Sequence, residues 1–166
     1  MINQITKNIW QLHFKKFGSC VYLIKMPEPI LIDTSSKENK NELLENLKQL
    51  NINPEKIKSI ILTHNHWDHI ENLNLFPNSR IYNLKNIKEL VKKFPEFKIY
   101  KTPGHTAEDI CILYKDILFS GDVIFDKNQT YIGRTDLPES VPEKMKDTLN
   151  FVKKLKYEIL CPGHLI

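Results

Sequence analysis

With 166 residues, the chain is long enough for one domain with a sizeable core. Its 41% hydrophobic and 27% charged residues are ordinary for a globular protein and exclude a low-complexity or fibrous class. The formal charge is +4, but the lysines are scattered in short tracts, such as Lys15-Lys16, Lys92-Lys93 and Lys153-Lys154, and predict a solvated surface without a nucleic-acid footprint. Cys20, Cys111 and Cys161 are odd in number, widely spaced and outside any CxxC, which predicts buried thiols in a reducing compartment. The start of the chain lacks the apolar core of a signal peptide, and no apolar run approaches membrane-spanning length. The expectation is a cytoplasmic protein without a membrane partner.

In chain order, residues 9–12, 20–24 and 30–32 predict three strands of a meander, broken at Gly18-Ser19 and at Met26-Pro27-Glu28-Pro29. Asp33 ends the third strand. Ser35 and Glu38 have capping-box spacing, and Leu43, Leu44, Leu47 and Leu50 then mark one helical face. Asn53-Pro54 opens a short helical turn, because proline suits a first helical position. The apolar run Ile60-Ile61-Leu62 predicts a buried strand that leads into Thr63-His64-Asn65-His66-Trp67-Asp68-His69. His64 and His66 project to one side if the chain stays extended there, and Asp68 and His69 follow after a turn. That spacing suits two adjoining metal sites.

Further along, a strand is predicted around Arg80-Ile81-Tyr82, then a helix over 86–94 with Ile87, Leu90, Val91 and Phe94 on one stripe. Ile99-Tyr100 leads to Gly104-His105, Ile117-Leu118 to Gly121-Asp122, and Ile159-Leu160 to Gly163-His164. In each case an apolar strand runs into a glycine and at once into a potential metal ligand. Lys115-Asp116 predicts a two-residue hairpin, and residues 122–138 a loop beside the site. Ser140 and Glu143 have the spacing of a second capping box, starting a helix with Met145, Leu149, Val152 and Leu155 on its stripe. Trp67 is expected to pack beside the ligands; Tyr131, Phe14 and Phe17 are expected to line a pocket or fill core. The pattern predicts α/β or α+β layers in a single domain over 1–166.

The set His64-x-His66-x-Asp68-His69, followed by His105, Asp122 and His164, resembles the metallo-β-lactamase superfamily over nearly the whole chain. The first of these stretches and Ile132-Gly133-Arg134-Thr135-Asp136 look most like its glyoxalase II-like (hydroxyacylglutathione hydrolase-like) group, which includes persulfide dioxygenases. The resemblance implies a four-layer αββα sandwich. It implies His64, His66 and His105 at one metal, Asp68, His69 and His164 at a second, and Asp122 bridging them. Two divalent ions are implied, with zinc favoured and iron or manganese also compatible with imidazole and carboxylate ligands. The implied chemistry is hydrolysis by a metal-bridging hydroxide that Asp68 orients, on a small thioester or related acyl compound. A persulfide dioxygenase with a single iron, and less readily a nuclease, share the motif. Asp33 is expected to hold a ligand imidazole from behind, with Thr63 and Thr106 in similar roles. Arg134 is expected to pair with Asp136 or to meet a substrate anion, and Tyr131 to border the site. The C-terminal helical domain that supplies glutathione contacts in glyoxalase II enzymes is not expected here.

Overall fold

The computed structural model describes residues 1–166, which form two compact units, Met1–Tyr82 and Asn83–Ile166. The first unit holds a six-stranded sheet in sequential order. Its strands are β1 (Ile2–Thr6), β2 (Ile9–Leu12), β3 (Val21–Ile24), β4 (Ile30–Ile32), β5 (Ser59–Ile61) and β6 (Arg80–Tyr82). The first four form an antiparallel meander, while β5 joins β4 and β6 joins β5 in parallel. The predicted strands are present, and β1 is an addition at the sheet edge.

Register explains the core of this unit. Trp10, Leu23, Leu31, Ile60 and Ile81 pair across successive strands and therefore share one face. That face packs with Leu43 and Leu47 of helix α1 (Lys40–Gln49), both fully buried. Tyr22, Ile24, Ile30, Ile32 and Ile61, on the opposite face, are buried as well.

Helix α1 does not begin as predicted. Ser35 has φ +64 and Ser36 caps nothing with its side chain; a turn of 3-10 helix, Lys37–Asn39, precedes the helix. The Ser35 hydroxyl instead accepts from the Asn39 amide at 3.1 Å. Asn53 does cap the turn Pro54–Lys56, accepting from the Glu55 N–H at 3.0 Å. A short helix, α2 (Trp67–Ile70), follows the histidine stretch.

The second unit holds a four-stranded sheet and two helices, α3 (Ile87–Lys93) and α4 (Pro142–Val152). Its strands are β7 (Phe97–Lys101), β8 (Ile110–Tyr114), β9 (Ile117–Gly121) and β10 (Ile159–Pro162), in the order β10-β9-β8-β7. The β8–β9 hairpin turns at Lys115-Asp116 as predicted, with Lys115 at φ +57. The last strand pairs with β9 in parallel. Val152 of α4 packs with Cys111, Leu113 and Leu118, and Leu149 and Leu160 flank them. Residues 122–138 are irregular apart from the bridge Ile124–Ile132. The second expected capping box is also absent: Val141 is the N-cap, and the Ser140 hydroxyl donates to the His105 carbonyl at 2.8 Å.

All three cysteines are free and buried, and burial pushes the Cys111 thiol up to about 12. No helix is long and apolar enough to cross a membrane. Leu47→Ala should cost about 2–5 kcal/mol in denaturant unfolding, because it empties the centre of the first core. Cys111 should resist thiol reagents at pH 8 until the protein unfolds.

Candidate metal centre

Parallel pairing gathers potential ligands at strand ends. Ile32 and Ile61 are register partners in β4 and β5, so Asp33 and the stretch after Leu62 leave the sheet at the same end. Likewise Gly121 and Pro162 are partners in β9 and β10, so Asp122 and His164 emerge together. The seven sequence-derived candidates divide four and three: His64, His66, Asp68 and His69 in the first unit, and His105, Asp122 and His164 in the second.

In the first unit Asp33 is the anchor. It is 2% exposed, has φ +59, and its carboxylate accepts three hydrogen bonds. The Thr63 N–H donates to Oδ1 at 2.9 Å, and the Thr63 hydroxyl to Oδ2 at 2.8 Å. His69 Nδ1 lies 2.8 Å from Oδ2. A carboxylate only accepts, so His69 carries its proton on Nδ1 and turns a lone pair outward on Nε2. Thr63 has spent its single proton on Asp33, so at 3.1 Å it accepts from His64 Nδ1, and His64 also presents a lone pair on Nε2. Asp33 and Thr63 thus stand behind the His69 and His64 imidazoles.

His64 Nε2 faces His66 Nδ1 at 3.0 Å. Two imidazole nitrogens on one tetrahedral cation, each bonded at about 2.0–2.1 Å, lie roughly 3.3 Å apart, so this pair has the span of two ligands. The ligand atoms of His64 and His69, and those of Asp68 and His69, also fall within 4.8 Å of each other.

The backbone beneath these side chains is tied down. The Ser19 N–H donates to the Asp68 carbonyl at 2.9 Å. The Thr34 N–H and hydroxyl both donate to the His69 carbonyl, at 2.7 and 3.0 Å. Asn72, 1% exposed, donates its amide to the carbonyls of Thr34 at 2.8 Å and Ser36 at 2.7 Å. Sequence reasoning missed Asn72; its place three residues after His69 offered no pattern.

In the second unit the Asp122 carboxylate lies between two imidazoles. Its Oδ2 is 3.6 Å from His105 Nε2 and 3.4 Å from His164 Nε2. His105 Nδ1 is 2.7 Å from the Arg134 carbonyl, which only accepts, so the lone pair of His105 is also on Nε2. Two glycines let the chain close on Asp122. A Cβ on Gly163 would lie 2.1 Å from Asp122 Oδ1, and one on Gly133 would lie 1.9 Å from the Asp122 carbonyl.

Several secondary expectations change. Thr106 holds no imidazole; its hydroxyl and N–H donate to the buried Asp109, at 2.8 and 2.6 Å. Trp67 is 53% exposed, so it is not the packing residue expected. Phe17 and Tyr131, at 67% and 56%, are not core either. Arg134 and Asp136 form the expected pair, bidentate at 2.9 and 2.8 Å. Hydrogen bonding between them holds Asp136 below the usual carboxylate range and pushes Arg134 up, so both stay charged at neutral pH. Arg134 is thus an exposed side chain whose backbone carbonyl orients His105.

The donor set fits a divalent cation of the zinc, iron or manganese type. It offers imidazoles, three of them with Nδ1 held by an acceptor, together with carboxylates and no thiolate.

Comparison with known proteins accounts for this arrangement. A profile of the metallo-β-lactamase superfamily matches residues 15–98 and 83–164. The chain belongs to the metallo-β-lactamase superfamily. A probable metallo-hydrolase of Methanocaldococcus jannaschii is 35% identical over 147 residues, covering 81% of this chain and 70% of its own. A hydroxyacylglutathione hydrolase of Buchnera aphidicola is 29% identical over 126 residues, 66% of this chain and 48% of the relative, so this chain spans about half of that enzyme. Among solved structures, a protein crystallised in a di-iron-bound form superposes with a TM-score of 0.72 at 21% identity, covering 93% of this chain and 91% of that one. The fold is therefore the metallo-β-lactamase fold, as the motif implied.

Asp33→Asn should lower metal affinity about 10–100-fold in chelator competition, because its amide must turn a donor toward Thr63 or His69. Gly163→Ala should also weaken metal binding, since its methyl group displaces the Asp122 carboxylate.

Proposed function

We propose that this protein is a metal-dependent hydrolase of thioesters or related small acyl compounds, using two divalent ions. The observation that carries this reading is the trio His64, His69 and His105, each turned by an acceptor at Nδ1 so that Nε2 offers its lone pair. In this reading His64, His66 and His105 would hold one ion and Asp68, His69 and His164 the other, with Asp122 shared between the two. Zinc suits these ligands, as do iron and manganese.

When bound, such ions supply a nucleophile from water at neutral pH and a Lewis acid for the substrate carbonyl. The residues of the chain do the rest. Asp68 orients the attacking water and accepts its proton. Asp33 and Thr63 hold His69 and His64 in the tautomer that ligation requires, and the Arg134 carbonyl does the same for His105. A thiol leaves without a dedicated general acid, since its pKa is about 8.5, far below that of an alcohol. The similarity to hydroxyacylglutathione hydrolases agrees with a thiol leaving group. The thiol carrier, glutathione or another, is open to a panel of thioesters.

Elemental mass spectrometry on protein purified without chelators tests the centre. About two zinc, or zinc and iron, per chain with thioester turnover supports the proposal. A single iron per chain with oxygen consumption on persulfides would replace it by a dioxygenase. His66→Ala and Asp122→Ala should each lose metal and at least about 100-fold in kcat/KM, with the far-ultraviolet dichroism unchanged. Full activity in either variant would refute the ligand set.

A further inference from the structure

We propose that Asn72 is a positioning residue for His69, holding that imidazole in the one orientation and tautomer that metal ligation uses. The inference rests on the metal-centre reading above and adds to it a residue that acts through another. Asn72 stands three places after His69, at the N-cap of the turn Leu73–Leu75, where an asparagine oxygen ordinarily accepts from the helix backbone. Its side chain makes no such cap. The amide nitrogen instead donates to the carbonyls of Thr34 at 2.8 Å, Ser35 at 3.3 Å and Ser36 at 2.7 Å.

Those carbonyls belong to a strained segment. Asp33 and Ser35 have φ +59 and +64, in the left-handed region that residues with a Cβ seldom adopt. Such a backbone persists only where its surroundings over-determine it. Here residues 33–37 are laced to residues 69–72 along their length. His69 Nδ1 donates to the Asp33 carboxylate at 2.8 Å. The Thr34 N–H and hydroxyl donate to the His69 carbonyl at 2.7 and 3.0 Å. At the far end the Lys37 N–H donates to the Glu71 carboxylate at 2.8 Å. Asn72 supplies the bonds to the three residues between these ends.

Thr34, Ser35 and Ser36 are fully buried and Asn72 is 1% exposed, so water does not replace a lost amide unless the turn opens. Without that amide, three buried carbonyls lose a shared donor, and the segment relaxes toward ordinary backbone angles. Relaxation at Asp33 swings its side chain, so the carboxylate no longer meets both Thr63 and His69. An imidazole freed from its acceptor carries its proton on either nitrogen, and the lone pair on Nε2 is then present only part of the time. Asn72 thus reaches His69 through the backbone that carries Asp33.

Zinc affinity by chelator competition and the His69 tautomer by long-range proton–nitrogen correlation spectra test the proposal on the full chain, independently of turnover. Asn72→Ala should bind zinc about tenfold more weakly. Before zinc is added, His69 should be protonated on Nδ1 in the unmodified protein and a mixture of tautomers in Asn72→Ala. Leu47→Ala, which loosens the core of the same unit, should change neither readout, and this separates positioning from loss of stability. Should Asn72→Ala fail to fold, Asn72→Ser, which keeps one donor, takes its place with a smaller loss in the same direction. Unaltered zinc affinity and tautomer in the Asn72 variant, or equal changes in Leu47→Ala, overturn the proposal. Absence of zinc binding in the unmodified protein would sink the metal-centre reading, and the tautomer comparison would still decide the role of Asn72. Full zinc binding without turnover of any thioester would sink the hydrolase reading alone.

Discussion

The buried carboxylate of Asp33 is the interaction on which the candidate metal ligands of the first unit depend. At 2% exposure it cannot be solvated by water, so three protein donors take that role. A hydrogen bond to a charged group contributes about 1.5–3 kcal/mol net, but leaving such a group buried and short of a donor costs several kcal/mol. Thr63 and His69 are therefore bound to one geometry by a penalty larger than any single bond between them. His64 follows, because Thr63 has only one proton to give. One ionised group thus decides the tautomers of two imidazoles at once.

The second unit solves the same problem with backbone. The Arg134 carbonyl replaces a carboxylate behind His105, and glycines replace side chains around Asp122. This explains why the exposed Arg134–Asp136 pair sits where it does. A pair so exposed adds little stability, but its residues carry the chain that presents the Arg134 carbonyl.

The strands after which ligands appear were legible because apolar runs ending in a polar residue or glycine are a local signal. The seven candidate ligands could be named because histidines and aspartates fell at the positions of a known motif. What failed were readings in which a local pattern competed with tertiary partners. Ser35 and Ser140 have capping spacing, yet one hydroxyl binds Asn39 and the other the His105 carbonyl. The first serine even adopts a left-handed backbone that a cap does not use. β1 escaped notice because its residues alternate only weakly; pairing with β2 defines it. Asn72 was invisible for a related reason: its three acceptors lie 36–38 residues away. Trp67 misled because a large aromatic is usually packed, whereas here it is 53% exposed.

The placement of β10 has a dynamic consequence. It stands at the margin of its sheet, joined in parallel to β9 alone, and His164 follows two residues after its last pairing. Marginal strands open at a fraction of the free energy needed to unfold a domain. His164 therefore belongs to a different cooperative unit from the buried imidazoles, His64 and His69, that Asp33 and Thr63 hold. Opening at that edge therefore reaches His164 as a local peeling event, long before the core yields.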